Sequence, residues 1–279
     1  MTSPRTLLNT RNLRAKKHLG QNFLSDPSTA LMILERTGIK PDDIVLEIGA
    51  GLGALTIPAA YMARKIYAVE KDPAVLDLLK KELSARELAN VDLIKGDILR
   101  IDINALARQH DARLLVLGNL PYNISSQIII QMIRSRNAVR RAVIMLQKEL
   151  AQRLTARPGC KEYGRITAML QYCADIRKIA AVPANLFFPK PNIDSQVLEI
   201  TFKPVPDHPA ADENLLFSII KAAFSKRRKT LKNALAGSEL SLDAKTAGQL
   251  LEKAGIDPVR RAETLEIAEF VELSKNLKP

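Results

Sequence analysis

The stretch Ile44-Val45-Leu46-Glu47-Ile48-Gly49-Ala50-Gly51-Leu52-Gly53 limits the possible folds of this chain more than any other. Its first half is a short, β-branched apolar run that reads as a buried strand. Three closely spaced glycines and then a helical pattern follow. A second strand, Lys65-Ile66-Tyr67-Ala68-Val69, ends at Glu70. Strand, glycine turn, helix and strand open a nucleotide-binding α/β sheet. The glycines let the backbone approach a ligand, and an acid at the second strand's end can accept hydrogen bonds from ribose hydroxyls. Gly49-x-Gly51-x-x-Ala54 also satisfies the dinucleotide pattern, and any ribose suits Glu70. The segment alone therefore leaves NAD and S-adenosylmethionine both open. Glu47 before the glycines and Gly53 after them favour the methyl donor.

The next elements extend the same sheet. Asp72-Pro73 caps and starts a helix to about Ala85. Val91 to Gly96 reads as a third strand ending at Asp97, whose carboxylate could accept from the amino group of a cofactor adenine. Leu114-Leu115-Val116-Leu117 is a fourth strand, leading into Gly118-Asn119-Leu120-Pro121-Tyr122. Gly49, Glu70, Asp97 and Asn119 thus stand at successive strand ends. In a parallel sheet those ends share one edge, the edge where ligands bind.

Asn119 to Tyr122 suits the alkylation of an exocyclic amine. The lone pair of an adenine N6 is delocalised into the ring and is a poor nucleophile. The Asn119 side-chain oxygen and the Leu120 carbonyl can accept both N–H bonds and hold the nitrogen nearer a tetrahedral geometry. Pro121 lacks an N–H and stiffens the loop. Tyr122 offers a flat face for a base drawn out of its stack. A strand ending in an ordinary proline turn would look the same locally, so the case rests on the convergence of the strand ends.

Two further strands are expected, Val139–Leu146 and Gln196–Phe202, with Ser125 capping a helix to about Arg134 between the fourth and fifth strands. The Pro-rich loop Val182–Ser195 carries Phe187 and Phe188 and is a candidate second wall for a base. Past Pro204–Pro209 strand signals stop, and about four short helices are expected near 213–224, 227–236, 243–254 and 263–275. The chain is expected to divide into a basic, loosely ordered arm (1–17), an α/β domain (18–204) and a helical domain (205–279). The net charge of +12 points to a polyanionic partner, nucleic acid above all. Arg227, Arg228, Lys229 and Lys232 are the phosphate-binding candidates of the helical domain. Cys160 and Cys173 lack histidines at metal-site spacing and read as reduced thiols. No metal site, signal peptide or membrane span is expected, so the cytoplasm is the default compartment. A monomer is the default state.

Five segments together resemble one family. They are Gly20-Gln21-Asn22-Phe23-Leu24, Glu47-Ile48-Gly49-Ala50-Gly51, Asn119-Leu120-Pro121-Tyr122-Asn123-Ile124-Ser125, Phe187-x-Pro189-x-Pro191 and Ala223-Phe224-x-x-Arg227-Arg228-Lys229. In this order they are similar to the KsgA (RsmA) family of small-subunit (16S) rRNA adenine N6,N6-dimethyltransferases, and the likeness runs from about Lys17 to Leu273. It implies an α/β fold with a Rossmann-like S-adenosylmethionine-dependent methyltransferase sheet and a small C-terminal all-α domain. It also implies methylation of two adjacent adenosines near the 3′ end of the RNA, with the pre-30S subunit as partner. By the resemblance, Asn22, Leu24, Gly49, Glu70, Asp97 and Asn119 contact the cofactor. Asn119, Leu120, Pro121 and Tyr122 form the loop that handles the target adenine, with Phe187 on its other face. Asn22 and Leu24 enter only this way, since the residues themselves suggest nothing beyond a loop before a helix. Asn192-Ile193 and His18 depart from the family pattern. Three competing readings remain: an Erm-type large-subunit methyltransferase, a small-subunit assembly checkpoint factor, and a dinucleotide-dependent oxidoreductase.

Overall fold

The computed structural model describes residues 3–226 and 228–277. In chain order the helices are α1 Pro4–Asn9, α2 Pro27–Thr37, α3 Thr56–Ala60, α4 Pro73–Ser84, α5 Ile103–Arg108, α6 Ser125–Arg134, α7 Lys148–Leu154, α8 Arg165–Cys173, α9 Glu213–Ala223, α10 Leu231–Ala236, α11 Ala244–Lys253 and α12 Ile267–Asn276. The strands are β1 Phe23–Leu24, β2 Ile44–Ile48, β3 Lys65–Glu70, β4 Val91–Lys95, β5 Leu114–Asn119, β6 Val139–Gln147, β7 Ala174–Val182, β8 Phe187–Phe188 and β9 Ser195–Phe202.

Seven strands form the main sheet, in the order β4-β3-β2-β5-β6-β9-β7. β4, β3, β2, β5 and β6 run parallel, and β9 returns antiparallel to β6. The order reverses between β2 and β5, and ligands of open α/β sheets bind at such a switch, outside the strands' carboxyl ends. β2 delivers the glycine loop to this point and β5 delivers Asn119. Both strands are buried on both faces apart from half-exposed Asn119, as central parallel strands covered by helices should be.

Local rules set most boundaries. Asp26 accepts the Thr29 N–H and Pro27 opens α2, which Gly38 ends at φ 57°. Asp72 and Pro73 do the same for α4. Gly118 answers to tertiary packing instead. A Cβ there would lie 2.4 Å from the Ile48 carbonyl oxygen, so only glycine lets β5 run this close beside β2.

Four expectations are corrected. First, the N-terminal stretch is not a loose arm. Ser3 caps α1, and Leu8 is buried with Phe23, Leu52, Val75 and Leu78. Its basic residues hid the apolar Leu7-Leu8 pair that docks it. Second, the sheet has β7 at its edge, a strand absent from the sequence reading. Arg177, Lys178 and exposed Ala181 spoil the apolar alternation of β7, as edge positions permit. Third, Ser125 does not cap α6 from outside. It is the first helical residue, and its hydroxyl donates to the Pro121 carbonyl.

Fourth, the chain divides elsewhere. It forms two compact units, residues 1–151 with 176–202 and residues 152–175 with 203–279. Residues 152–175 therefore belong with the C-terminal helices and not with the sheet. α8 packs on α9 and α12. The Tyr172 hydroxyl donates to Glu213 at 2.9 Å, its ring stands edge-on to Phe217, and the Tyr163 ring lies 6.0 Å from that of Phe224.

Candidate active site

Three loops of the sheet-bearing unit meet at the switch point. The loop after β5 is held from beneath by the Leu120 N–H, which donates to Met145, and by the Leu120 side chain, which is buried. The segment before α2 interlocks with it. The Asn119 amide nitrogen donates to the Asn22 carbonyl at 2.8 Å, and that of Asn123 to the His18 carbonyl at 3.2 Å. Gly20 sits so close that a Cβ would approach Asn123 Oδ1 at 3.0 Å. The third loop joins through β1 and β8, which pair antiparallel with Phe23 opposite Phe188 and Leu24 opposite Phe187. The Tyr122 hydroxyl and Ser195 Oγ are 2.8 Å apart. Gly20 to Leu24 thus has a structural duty that no local pattern reveals.

Beside these loops lies a cleft that opens to solvent. Asn22, Leu24, Gly49, Glu70 and Asn119 all line it. Pro4, Leu7 and Gln21 line it too, and sequence reasoning missed them. Asp97 does not. Its Oδ1 accepts the Leu99 N–H and its Oδ2 accepts from Lys71 at 2.8 Å, and the Lys71 hydrogen bond holds this carboxyl below its ordinary range. Tyr122 and Phe187 also lie outside the lining. Tyr122 is half-buried, and burial raises its phenol pKa against the opposing Ser195 hydrogen bond. Phe187 is 4% exposed and packed in the main core, so it shows no open face to a base. The β1–β8 register turns it inward while its neighbour Phe188 turns to Arg5, whose guanidinium lies 5.2 Å from the ring centre.

Two carboxyls define the cleft's electrostatics. Glu70 accepts the Gly51 N–H at 2.9 Å through one oxygen and the Asp72 N–H at 2.8 Å through the other. Each oxygen keeps a lone pair for a further donor. Burial raises the Glu70 pKa despite these bonds. Burial of Asp72 likewise pushes up, but hydrogen bonds from Lys16 and Gln21 outweigh it and leave Asp72 lowered. This network ties the N-terminal segment to the cap of α4.

Glu47 is 2% exposed, and its Oε2 has no hydrogen-bond partner. Burial pushes its pKa up to about 8, helped by the nearby negative charge of Glu70. Thr56 approaches closely enough to oppose the shift. The pair nevertheless misses good hydrogen-bond geometry, since Thr56 Oγ1 is itself unpaired. A carboxyl raised on folding binds more protons in the native state than in the unfolded chain between its two pKa values. Stability is therefore lost as pH rises from about 4.5 to about 8. The ligand-free protein is expected to lose on the order of a few kcal/mol across this window from Glu47. Urea unfolding at pH 6 and 8.5 checks this. Glu47→Gln should flatten the dependence, and equal slopes in both proteins would contradict the assignment.

The profile of the ribosomal RNA adenine dimethylases matches residues 12–277. The chain belongs to this family. It is 52% identical to the ribosomal RNA small subunit methyltransferase A of Desulforapulum autotrophicum over 277 residues, covering 99% of this chain and 97% of the relative. The protein of the same name from Geobacillus thermodenitrificans is 40% identical over 271 residues, covering 95% and 91%. A dimethyladenosine transferase from Plasmodium falciparum superposes with a TM-score of 0.76 at 25% identity, over 90% of this chain and 95% of that one. The 23S rRNA methyltransferase ErmE shares the fold, with a TM-score of 0.68 at 24% identity over 92% and 99%.

Membership makes this chain an rRNA adenine dimethylase with a Rossmann-like methyltransferase sheet, and it sets aside the oxidoreductase reading. The expected phosphate-binding residues lie in the other unit. Arg228, Lys229 and Lys232 are exposed there, and Arg227 falls outside the described residues. Among the described residues no cluster could hold a metal ion, and no helix is long and apolar enough to cross a membrane. Cys160 and Cys173 form no disulfide.

Proposed function

We propose that the enzyme uses S-adenosylmethionine to dimethylate N6 of two adjacent adenosines near the 3′ end of small-subunit (16S) rRNA, acting in the cytoplasm on pre-30S particles. One observation carries the chemistry. Asn119 Oδ1 is buried beside the cleft and has no hydrogen-bond partner, while its amide nitrogen is committed to the Asn22 carbonyl. The side chain is thus locked with its acceptor unsatisfied, a costly state unless a donor arrives. An exocyclic N6 amine is such a donor.

The cleft also fits the cofactor. Glu70 has lone pairs for ribose hydroxyls, the glycine loop allows close approach, and the carboxyls suit a cation. When bound, S-adenosylmethionine supplies an electrophilic methyl on sulfur. The residues of this chain do the rest. Asn119 accepts one N6 hydrogen bond, and the Leu120 carbonyl takes the other. Pro121 keeps that loop stiff. Tyr122, anchored through its hydroxyl to Ser195, gives the extruded base a fixed platform. Phe187 would meet the second face only once the β1–β8 pair opens. No strong general base is required, because the alkylated nitrogen is acidic enough to lose its proton to water. Rate enhancement comes from positioning. Asp97, outside the cleft lining, would meet the cofactor's adenine through a lone pair left over from its bonds to Leu99 and Lys71. In the helical unit, Arg227, Arg228, Lys229 and Lys232 are proposed to grip RNA phosphates. The domain boundaries proposed for these roles are those of the two compact units.

The small-subunit assignment draws on the relatives' names, and the likeness to ErmE is one of fold alone. Methyl transfer from labelled donor to three substrates tests it: undermodified small subunits, naked small-subunit rRNA and large-subunit rRNA. Labelling of small subunits alone, with N6,N6-dimethyladenosine as product, is expected. Labelling of large-subunit RNA would move the protein to the Erm branch. A catalytically dead variant that still binds small subunits would reveal an assembly role alongside catalysis.

A further inference from the structure

The cleft is lined by two buried carboxyls, Glu47 and Glu70, and among the described residues by no Lys, Arg or His. Glu70 is satisfied by two backbone N–H groups. Glu47 is less well held, because its Oε2 has no partner and the neighbouring Thr56 hydroxyl is unpaired as well. The charged groups around it are few. Glu70 faces it from β3, and beyond Glu70 lies Asp72 on the cap of α4, already neutralised by Lys16 at 2.9 Å. Two adjacent buried carboxyls do not both ionise readily without a cation between them. An empty cleft therefore favours a proton on one of them. Glu47, more buried and unpaired, is the better holder.

The proposed cofactor and its product differ in this respect. The methyl donor carries a sulfonium cation, and the product left after transfer is a neutral thioether. Resting on the proposed use of that donor, we propose that Glu47 senses the charge of the cleft's occupant. It holds a proton while the cleft is empty, releases it to solvent when the cationic donor binds, and regains it when the thioether remains. The carboxylate thus formed strengthens donor binding and not product binding, so Glu47 sets the preference of the cleft for donor over spent cofactor. The cycle is balanced: one O–H bond breaks on donor binding and re-forms after transfer, with buffer as the proton's source and sink.

Titration calorimetry at pH 7 in buffers of different ionisation enthalpy counts the protons. With wild-type protein, binding of S-adenosylmethionine should release about 1 proton, and binding of the thioether product much less. Glu47→Gln should bind the donor more weakly with that release abolished, which also separates any contribution from the ligands' own amino groups. The wild-type affinity ratio of donor to product should change about tenfold between pH 6 and 9, and the variant's ratio should stay flat. Equal proton counts for donor and product in the wild type overturn the proposal. So does an undiminished release in the variant. The wild-type comparison decides alone if the variant misfolds. If the donor binds and small subunits are methylated without proton release, only this inference fails. If the donor does not bind at all, the proposed function fails with it.

Discussion

Asn119→Ala is expected to lower kcat for methyl transfer by about 10²–10³-fold while the protein stays folded. The magnitude is that of removing one preorganised hydrogen-bonding group aimed at a reacting centre. Asn119 Oδ1 is positioned, buried and unsatisfied. Its removal takes away the acceptor that holds N6, and with it the donor to the Asn22 carbonyl. The fold should tolerate the change because Asn119 ends β5 half-exposed, and the Asn123 bond to the His18 carbonyl still joins the two loops. Asn119→Asp separates the roles, since it keeps an acceptor but sets a carboxylate against the Asn22 carbonyl. Single-turnover rates with saturating donor, together with thermal unfolding, make the measurement. Near-normal kcat in the alanine variant would remove Asn119 from the chemistry and with it the proposed mechanism.

Gly118→Ala should do more damage to the fold than any other single methyl group in the sheet. Its Cβ would stand 2.4 Å from the Ile48 carbonyl oxygen, and the nearest atoms are all backbone. No rotamer change can relieve that contact, so β5 must move away from β2 or twist. Overpacking of a well-filled interior typically costs 1–3 kcal/mol, and a backbone-on-backbone clash between central strands lies at or beyond the top of that range, at roughly 3 kcal/mol or more. The displacement would fall on Asn119, the next residue, so activity should drop even in molecules that fold. Gly96→Ala is the control, because a Cβ there meets only Ile101 Cδ1 at an ordinary 3.6 Å. Urea denaturation midpoints compare the two. An unchanged midpoint for Gly118→Ala would mean that the sheet opens freely at its switch point.

The strand ends were legible because their signals are local. Glycine loops, caps and apolar runs depend on neighbours a few positions away, and Asp26, Asp72 and Gly38 act as their sequence context indicates. The acids that close β3 and follow β4, and the Asn that closes β5, follow from the same patterns. Where local and tertiary demands diverge, the local pattern misleads. Phe187 and Phe188 look alike in sequence, but strand alternation buries one in the core and places the other under Arg5. The charges of residues 1–17 suggested solvent, whereas Leu8 is 2% exposed.

Glu47, Glu70 and Asn119 could thus be nominated as chemistry-bearing residues from their sequence setting alone. Their physical states could not. Whether Glu47 keeps a proton depends on Thr56, Glu70 and the exclusion of water, and whether Asn119 has a vacant acceptor depends on Asn22, 97 positions earlier. The site closes through β1 and β8, whose paired residues are more than a hundred positions apart, and residues 152–175 join helices that follow them only after the sheet is complete. Short-range rules decide which elements form and what each carries. Burial and long-range pairing decide which groups meet, and only in the packed interior do those meetings set protonation and hydrogen-bond vacancy.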